Sequence, residues 1–118
     1  MQITTELVDH LALYLDLSVS EVKLTASNMA NIDTPGYRTR GFDFEGEMAK
    51  ALSSNRSSRS CSSRIHDVDG LVSRPDGNNV SMDRESLHLA EAQLKFRTGI
   101  ALLRLENQRI MDAIRADK

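Results

Sequence analysis

The side chains best suited to proton transfer, nucleophilic attack or metal ligation near neutral pH are His10, His66, His88 and Cys61. None is placed to act. No two histidines stand four apart on a helix, the spacing that presents a ligand pair to one metal, and a single cysteine excludes both an internal disulfide and a cysteine-rich zinc site. Cys61 lies among serines and arginines, with no neighbouring base to activate it as a nucleophile. His66-Asp67-Val68-Asp69-Gly70 carries acids but lacks the glutamate and full ligand set of a calcium loop. Gly36 and Gly41 are turn glycines and form no phosphate-cradling loop. The sequence is therefore expected to be no enzyme, with no catalytic, cofactor-binding or metal-ligating residues and no small-molecule substrate.

The polar residues with a meaningful arrangement are instead Asn28 and Asn31, three apart and so on one helical face, followed by Thr34-Pro35-Gly36-Tyr37. Their amides are placed to bond the last free carbonyls of a helix or a neighbouring subunit. Pro35 pushes Thr34 out of the α region. Proline then fixes φ and glycine supplies a positive φ, so Pro35-Gly36 reads as the centre of a type II turn.

The element that delivers these residues is a helix from about Thr4 to Asn31. Val8, Leu11, Leu15, Ser18, Val22, Thr25 and Met29 recur in steps of three and four, a heptad-like stripe of apolar and small residues. Leu7, Leu13, Leu17 and Leu24 lie off the stripe, so the helix is apolar on more than one face and wants more than one neighbour. Residues 37–44 read as extended or irregular, with a short second helix over Phe44–Leu52. Residues 53–64 hold seven serines and three arginines in twelve positions. That composition has nothing with which to build a core and reads as a flexible linker. No aromatic is interleaved to stack a base, so no nucleic-acid partner is expected.

A second long helix is expected from Ser81, as N-cap, to about Arg115, with Asp83 and Glu85 in the favourable first turn. Met82, Leu89, Phe96, Leu103 and Ile110 recur at seven, and Ser86, Gln93, Ile100, Asn107 and Ile114 fill the intermediate heptad position, with Gln93 and Asn107 as polar interruptions. A second stripe, Leu87, Ala90, Leu94, Ala101 and Leu105, lies on an adjacent face. A two-helix hairpin cannot cover both.

The fold class expected is all-α: long N- and C-terminal helices paired as a coiled coil and joined by a loop-rich, flexible middle. The paired helical assembly domain takes residues 1–32 and 81–118, and 33–80 is an irregular connector. The chain has 118 residues, a net charge of −2, 40% hydrophobic residues and 4% aromatics, which suits one small helical domain better than a β-sandwich and gives no general attraction to nucleic acid or anionic lipid. No apolar run approaches the ~20 residues of a membrane span. The start, MQITTELVDH, lacks a basic and then apolar leader, so the expectation is a cytoplasmic protein or one that leaves without a cleaved signal peptide.

Ala26-Ser27-Asn28-Met29-Ala30-Asn31-Ile32-Asp33-Thr34-Pro35-Gly36-Tyr37 resembles the N-terminal signature of bacterial flagellar rod and hook proteins, close to A-x-N-(I/L/M)-A-N-x-x-T-P-G-Y. Asn28, Ala30, Asn31, Thr34, Pro35, Gly36 and Tyr37 carry the match. Together with the short length, the run TPGYRTRGFDFEGEM and the lead NNVSMDRE into the C-terminal helix, the chain looks most like a proximal rod subunit. The resemblance implies a structural subunit of the basal-body rod, exported through the flagellar type III apparatus to the periplasmic space. It implies self-assembly through the terminal helices, contact with other rod subunits and the rod-to-membrane-ring junction protein FliE, and a part in motility. The assembly interface is expected at Val8, Leu11, Leu15, Val22, Met29, Leu89, Phe96, Ile100, Leu103, Ile110 and Ile114. The alternatives are another rod-family subunit such as FlgC, or a cytoplasmic helical adaptor that binds a partner helix.

Overall fold

The protein was analysed as a computed structural model that describes residues 5–53 and 65–116. Three helices and one minimal β-ladder make up the described chain. Helix α1 spans Glu6–Ala30, α2 Phe44–Ser53 and α3 Met82–Ala116, while β1 (Arg40–Gly41) pairs antiparallel with β2 (His66–Asp67). The two long terminal helices pack on each other, as the all-α reading expected. Most of the Ser/Arg stretch, including Cys61, lies outside the described residues.

Each helix starts where a side chain can satisfy a free backbone N–H. The Thr5 hydroxyl accepts from the Val8 N–H at 3.2 Å, with Glu6 and Asp9 in the first turn of α1. The Asp43 carboxylate accepts from the Gly46 N–H at 3.1 Å ahead of α2. Ser81 caps α3, its Oγ 3.4 Å from the Arg84 nitrogen and its carbonyl bonded to the Glu85 N–H at 2.9 Å.

Helices α1 and α3 run antiparallel: Asn28 meets Glu85, Glu21 meets Lys95, and Leu15 meets Gly99. On α1 the contact line is the stripe read from sequence, with Leu11, Ser18 and Thr25 buried and Val8, Leu15, Val22 and Met29 half-buried beside them. On α3 the line facing α1 is Glu85, Ala92, Gly99 and Glu106, again seven apart. Leu89, Phe96, Leu103 and Ile110 flank that line half-buried. Ser86, Gln93, Asn107 and Ile114 are exposed, and of the intermediate positions only Ile100 is half-buried. The physical reason is close approach. A Cβ on Gly99 would stand 2.7 Å from Leu15 Cδ2 and 3.0 Å from Tyr14 Cδ1, so midway along the line the helices meet over a small residue while the large apolar side chains fall to either side.

Helix α2 covers a second side of α1. Phe44 is buried with its ring edge-on to Tyr14, centroids 5.4 Å apart, and Lys95 from α3 sits 4.2 Å above the Phe44 ring centroid while pairing with Glu21 at 3.1 Å. This cation–π and ion-pair node ties all three helices together.

Gly99→Val must force Leu15, Tyr14 or the helix axis aside. The expected cost is about 2 kcal/mol or more, to be read as a lower midpoint in urea unfolding with secondary structure retained.

Candidate assembly site at the helix exit

At the exit of α1 the regular helical ladder ends, and side chains supplement the backbone bonds to the carbonyls there. Asn31 covers one locally: its amide nitrogen donates to the Ser27 carbonyl at 2.8 Å, and its Oδ1 accepts from the Thr34 hydroxyl at 3.0 Å. Those that follow are supplemented by a residue 47 positions along the chain from Asn31. Asn78, fully buried, directs its amide nitrogen at the carbonyls of Asn31, Ile32 and Thr34 at 2.9, 3.0 and 2.8 Å, and its Oδ1 accepts from the Val80 N–H at 2.8 Å. Arg74 adds a guanidinium bond to the Ile32 carbonyl.

Between these anchors the chain turns as expected. Tyr37 N–H donates to the Thr34 carbonyl at 3.2 Å, and Gly36 has φ of 73°, the signature of a type II turn with Pro35 at its second position. The facing turn, Arg74 to Gly77, is closed by the Gly77 N–H on the Arg74 carbonyl at 2.9 Å. A Cβ on Gly77 would lie 3.4 Å from the Gly36 Cα, and the Gly36 N–H donates to the Asp76 carbonyl at 2.9 Å, so the two turns stack backbone to backbone. Asn79 completes the join: its Oδ1 accepts from the Thr39 N–H at 2.6 Å, and its carbonyl accepts from the Thr39 hydroxyl at 3.2 Å.

Asn28 has a different task. It is 1% exposed and uses its whole bonding capacity. Its amide nitrogen donates to the Arg40 carbonyl at 2.8 Å and to Glu85 Oε2 at 3.0 Å. Its Oδ1 accepts from the Arg40 N–H at 3.1 Å and from the Tyr37 hydroxyl at 3.0 Å. Glu85, equally buried, has its other oxygen 2.7 Å from the Arg84 guanidinium. Asn28 therefore contacts no free helix carbonyl. It fastens α1 to the returning strand and to the first turn of α3.

The motif residues Asn28, Asn31, Thr34, Pro35, Gly36 and Tyr37 thus come together in one clasp, with Ala30 exposed at the last turn of α1. Sequence reasoning missed Glu85, Asn78 and Asn79. Glu85 was visible only as a first-turn acid and the asparagine pair only as part of the lead into the C-terminal helix, although two adjacent asparagines just before a helix are themselves a signal of capping work. Of the residues expected at the assembly interface, Leu11 is buried inside the hairpin. Val8, Leu15, Val22, Met29, Leu89, Phe96, Ile100, Leu103 and Ile110 are half-buried at its edges, and Ile114 is exposed. His10 and His88 are half-buried on their helices, His88 within 3.7 Å of Glu91. Among the described residues no group of three His, Cys, Asp or Glu side chains is placed to hold a metal ion, and no helix is long and apolar enough to cross a membrane.

The clasp makes two expectations measurable. Asn28→Ala strands Glu85 and the Arg40 peptide at a cost of about 3 kcal/mol. In a double-mutant cycle with Glu85→Ala the pair should cost clearly less than the two single changes together, read by chemical unfolding. Gly36→Val meets no atom within 4 Å, so its penalty is the backbone's alone. It should lose about 1 kcal/mol or more, and Gly36→Asn should lose much less because asparagine tolerates a positive φ.

No family model matches the chain. It is similar to flagellar basal body rod protein FlgB of Yersinia enterocolitica, 33% identical over 108 residues that cover 75% of this chain and 79% of that protein. FlgB of Salmonella typhimurium is 30% identical, with 85% and 86% of the two chains covered. FlgB of Cereibacter sphaeroides is 34% identical, with 80% and 82% covered. At this identity and coverage, and with the Asn28 to Tyr37 signature assembled in one place, the chain belongs to the family of the flagellar basal body rod protein FlgB.

Proposed function

We propose that the chain is a structural subunit of the proximal rod of the bacterial flagellum. It polymerises through its terminal helices into part of the shaft between membrane ring and hook, and it is needed for motility. Its work is mechanical. It reaches the periplasmic space through the flagellar type III export apparatus, and its neighbours are copies of itself, other rod subunits and the junction protein FliE. Family membership supports the rod, and the exposed apolar face of α3 supports polymerisation.

That face is the observation that carries the reading. Leu87, Leu94 and Leu105, seven and eleven residues apart and so on one side of α3, are 60%, 67% and 59% exposed. A folded hairpin that leaves a row of leucines in water gains about 1.5–3 kcal/mol for each one a neighbour covers completely. The half-buried residues of the expected interface lie along the edges of the same hairpin, where a second contact can finish their burial. No observation favours a FlgC-type subunit or a cytoplasmic adaptor.

The test is Leu94→Asp, at a position that contributes little to the hairpin itself. Its thermal midpoint should stay within a few degrees of the parent, and the protein should still be exported, yet its amount in purified basal bodies should fall at least about tenfold, because an unpaired charge in a tight contact costs more than the leucine gave. Normal incorporation would remove the α3 face from the assembly.

A further inference from the structure

The outward faces of the two long helices carry opposite charge at matched height. On α1, Asp9 and Asp16 each stand two residues before a buried contact residue, Leu11 and Ser18. On α3, Arg97 and Arg104 each stand two residues before Gly99 and Glu106, which are buried against α1. Two residues turn a helix by about 200°, so both pairs point away from the hairpin seam, on opposite sides of the molecule. All four side chains are exposed, and among the described residues none has an ion-pair or hydrogen-bond partner.

The heights follow from the antiparallel register. Asn28 meets Glu85 and Tyr14 meets Gly99, so residues whose numbers total 113 or 114 lie level across the hairpin. Asp9 is therefore level with Arg104, and Asp16 with Arg97. A second copy moved sideways without axial shift, and turned about its long axis only enough to curve the row, brings its α1 outer face against the α3 outer face of the first. Both charge pairs then meet, about 10.5 Å apart along the axis on each helix. The neighbouring outward positions also match in size: Leu87 is level with Ser27, Leu94 with Ser20 and Ala101 with Leu13. Lys23 falls level with the neutral Ala90, so no like charges are opposed.

We propose that copies of this chain associate side by side in this register, the α3 face of one on the α1 face of the next, joined by Asp9–Arg104 and Asp16–Arg97 and sealed by Leu87 and Leu94. This deepens the rod reading above and rests on it. Because the two faces point in opposite directions, one contact leaves both outer faces of the pair free. The contact is heterologous and continues into an arc or helix of subunits, which a two-fold dimer does not.

The experiment uses full-length chain with Cys61→Ser, Asp16→Cys and Arg97→Cys, expressed as the only copy in the flagellated cell and oxidised in isolated basal bodies. The register predicts a disulfide ladder of dimers, trimers and higher species. Dimers alone would overturn the open heterologous contact. Retention in basal bodies without cross-links would overturn the register while leaving the rod reading standing, and wild-type chain absent from basal bodies would overturn the rod reading itself. Charge reversal supplies the second measurement, with cysteines moved to Ser20 and Leu94. Asp16→Arg or Arg97→Asp alone should cut the cross-linked yield about fivefold to tenfold, and the two together should restore it to within about twofold, since each single change replaces attraction by repulsion at an exposed pair. Failure of the double variant to recover would overturn the pairing.

Discussion

Everything in this molecule hangs from the amide of Asn28. A side-chain amide has two donors and two acceptor lone pairs, and here each one is used, on the Arg40 peptide, the Tyr37 hydroxyl and Glu85. The paired bonds to Arg40 copy a step of β-ladder, so the chain leaving the turn is fixed alongside the helix it has just left. The bond to Glu85 then sets the height at which α3 meets α1. A buried carboxylate and a buried amide are each costly alone, and only their combination with Arg84 and Arg40 makes the site affordable. Register along the hairpin is thus set by hydrogen bonds at one end. Midway along, the close approach of Leu15 to Gly99 holds the same register.

The size of the polar share explains why this must be so. The described core holds five buried apolar residues, Leu11, Leu17, Phe44, Val80 and Ala92, against eight buried polar or charged ones. A core this thin cannot specify a unique packing by shape alone. Among the described residues no buried side-chain nitrogen or oxygen lacks a partner, so the polar groups can define the arrangement without leaving unpaid desolvation behind.

What could be read beforehand follows the same division. The helix of residues 6–30, its stop, the turn at Pro35-Gly36, the N-cap at Ser81 and the contact stripe of α1 rest on local rules, and all were legible. The contact line of α3 was not, because heptad reading favours large apolar residues and this line mixes small residues with glutamates: Phe96 and Leu103 outweigh Ala92 and Gly99 in any hydrophobic pattern, yet it is Gly99 that Leu15 approaches. The bonding of Asn78 was hidden for another reason. Its acceptors lie 44 to 47 residues away, and no periodicity reports on pairing at that distance. The motif marked Asn28 as significant and could not say that its partner was the acid at the start of the other helix.

The β1–β2 ladder has a consequence for what lies inside it. Arg40 faces Asp67 and Gly41 faces His66, so the chain departs and returns at adjacent points, after the clasp on one side and before it on the other. The two ends of the excursion between them are thus held side by side. Closing such a loop costs only about 0.6 kcal/mol more for each doubling of its length. Sequence gained or lost between α2 and β2 therefore falls outside the pairing that holds the two long helices in register.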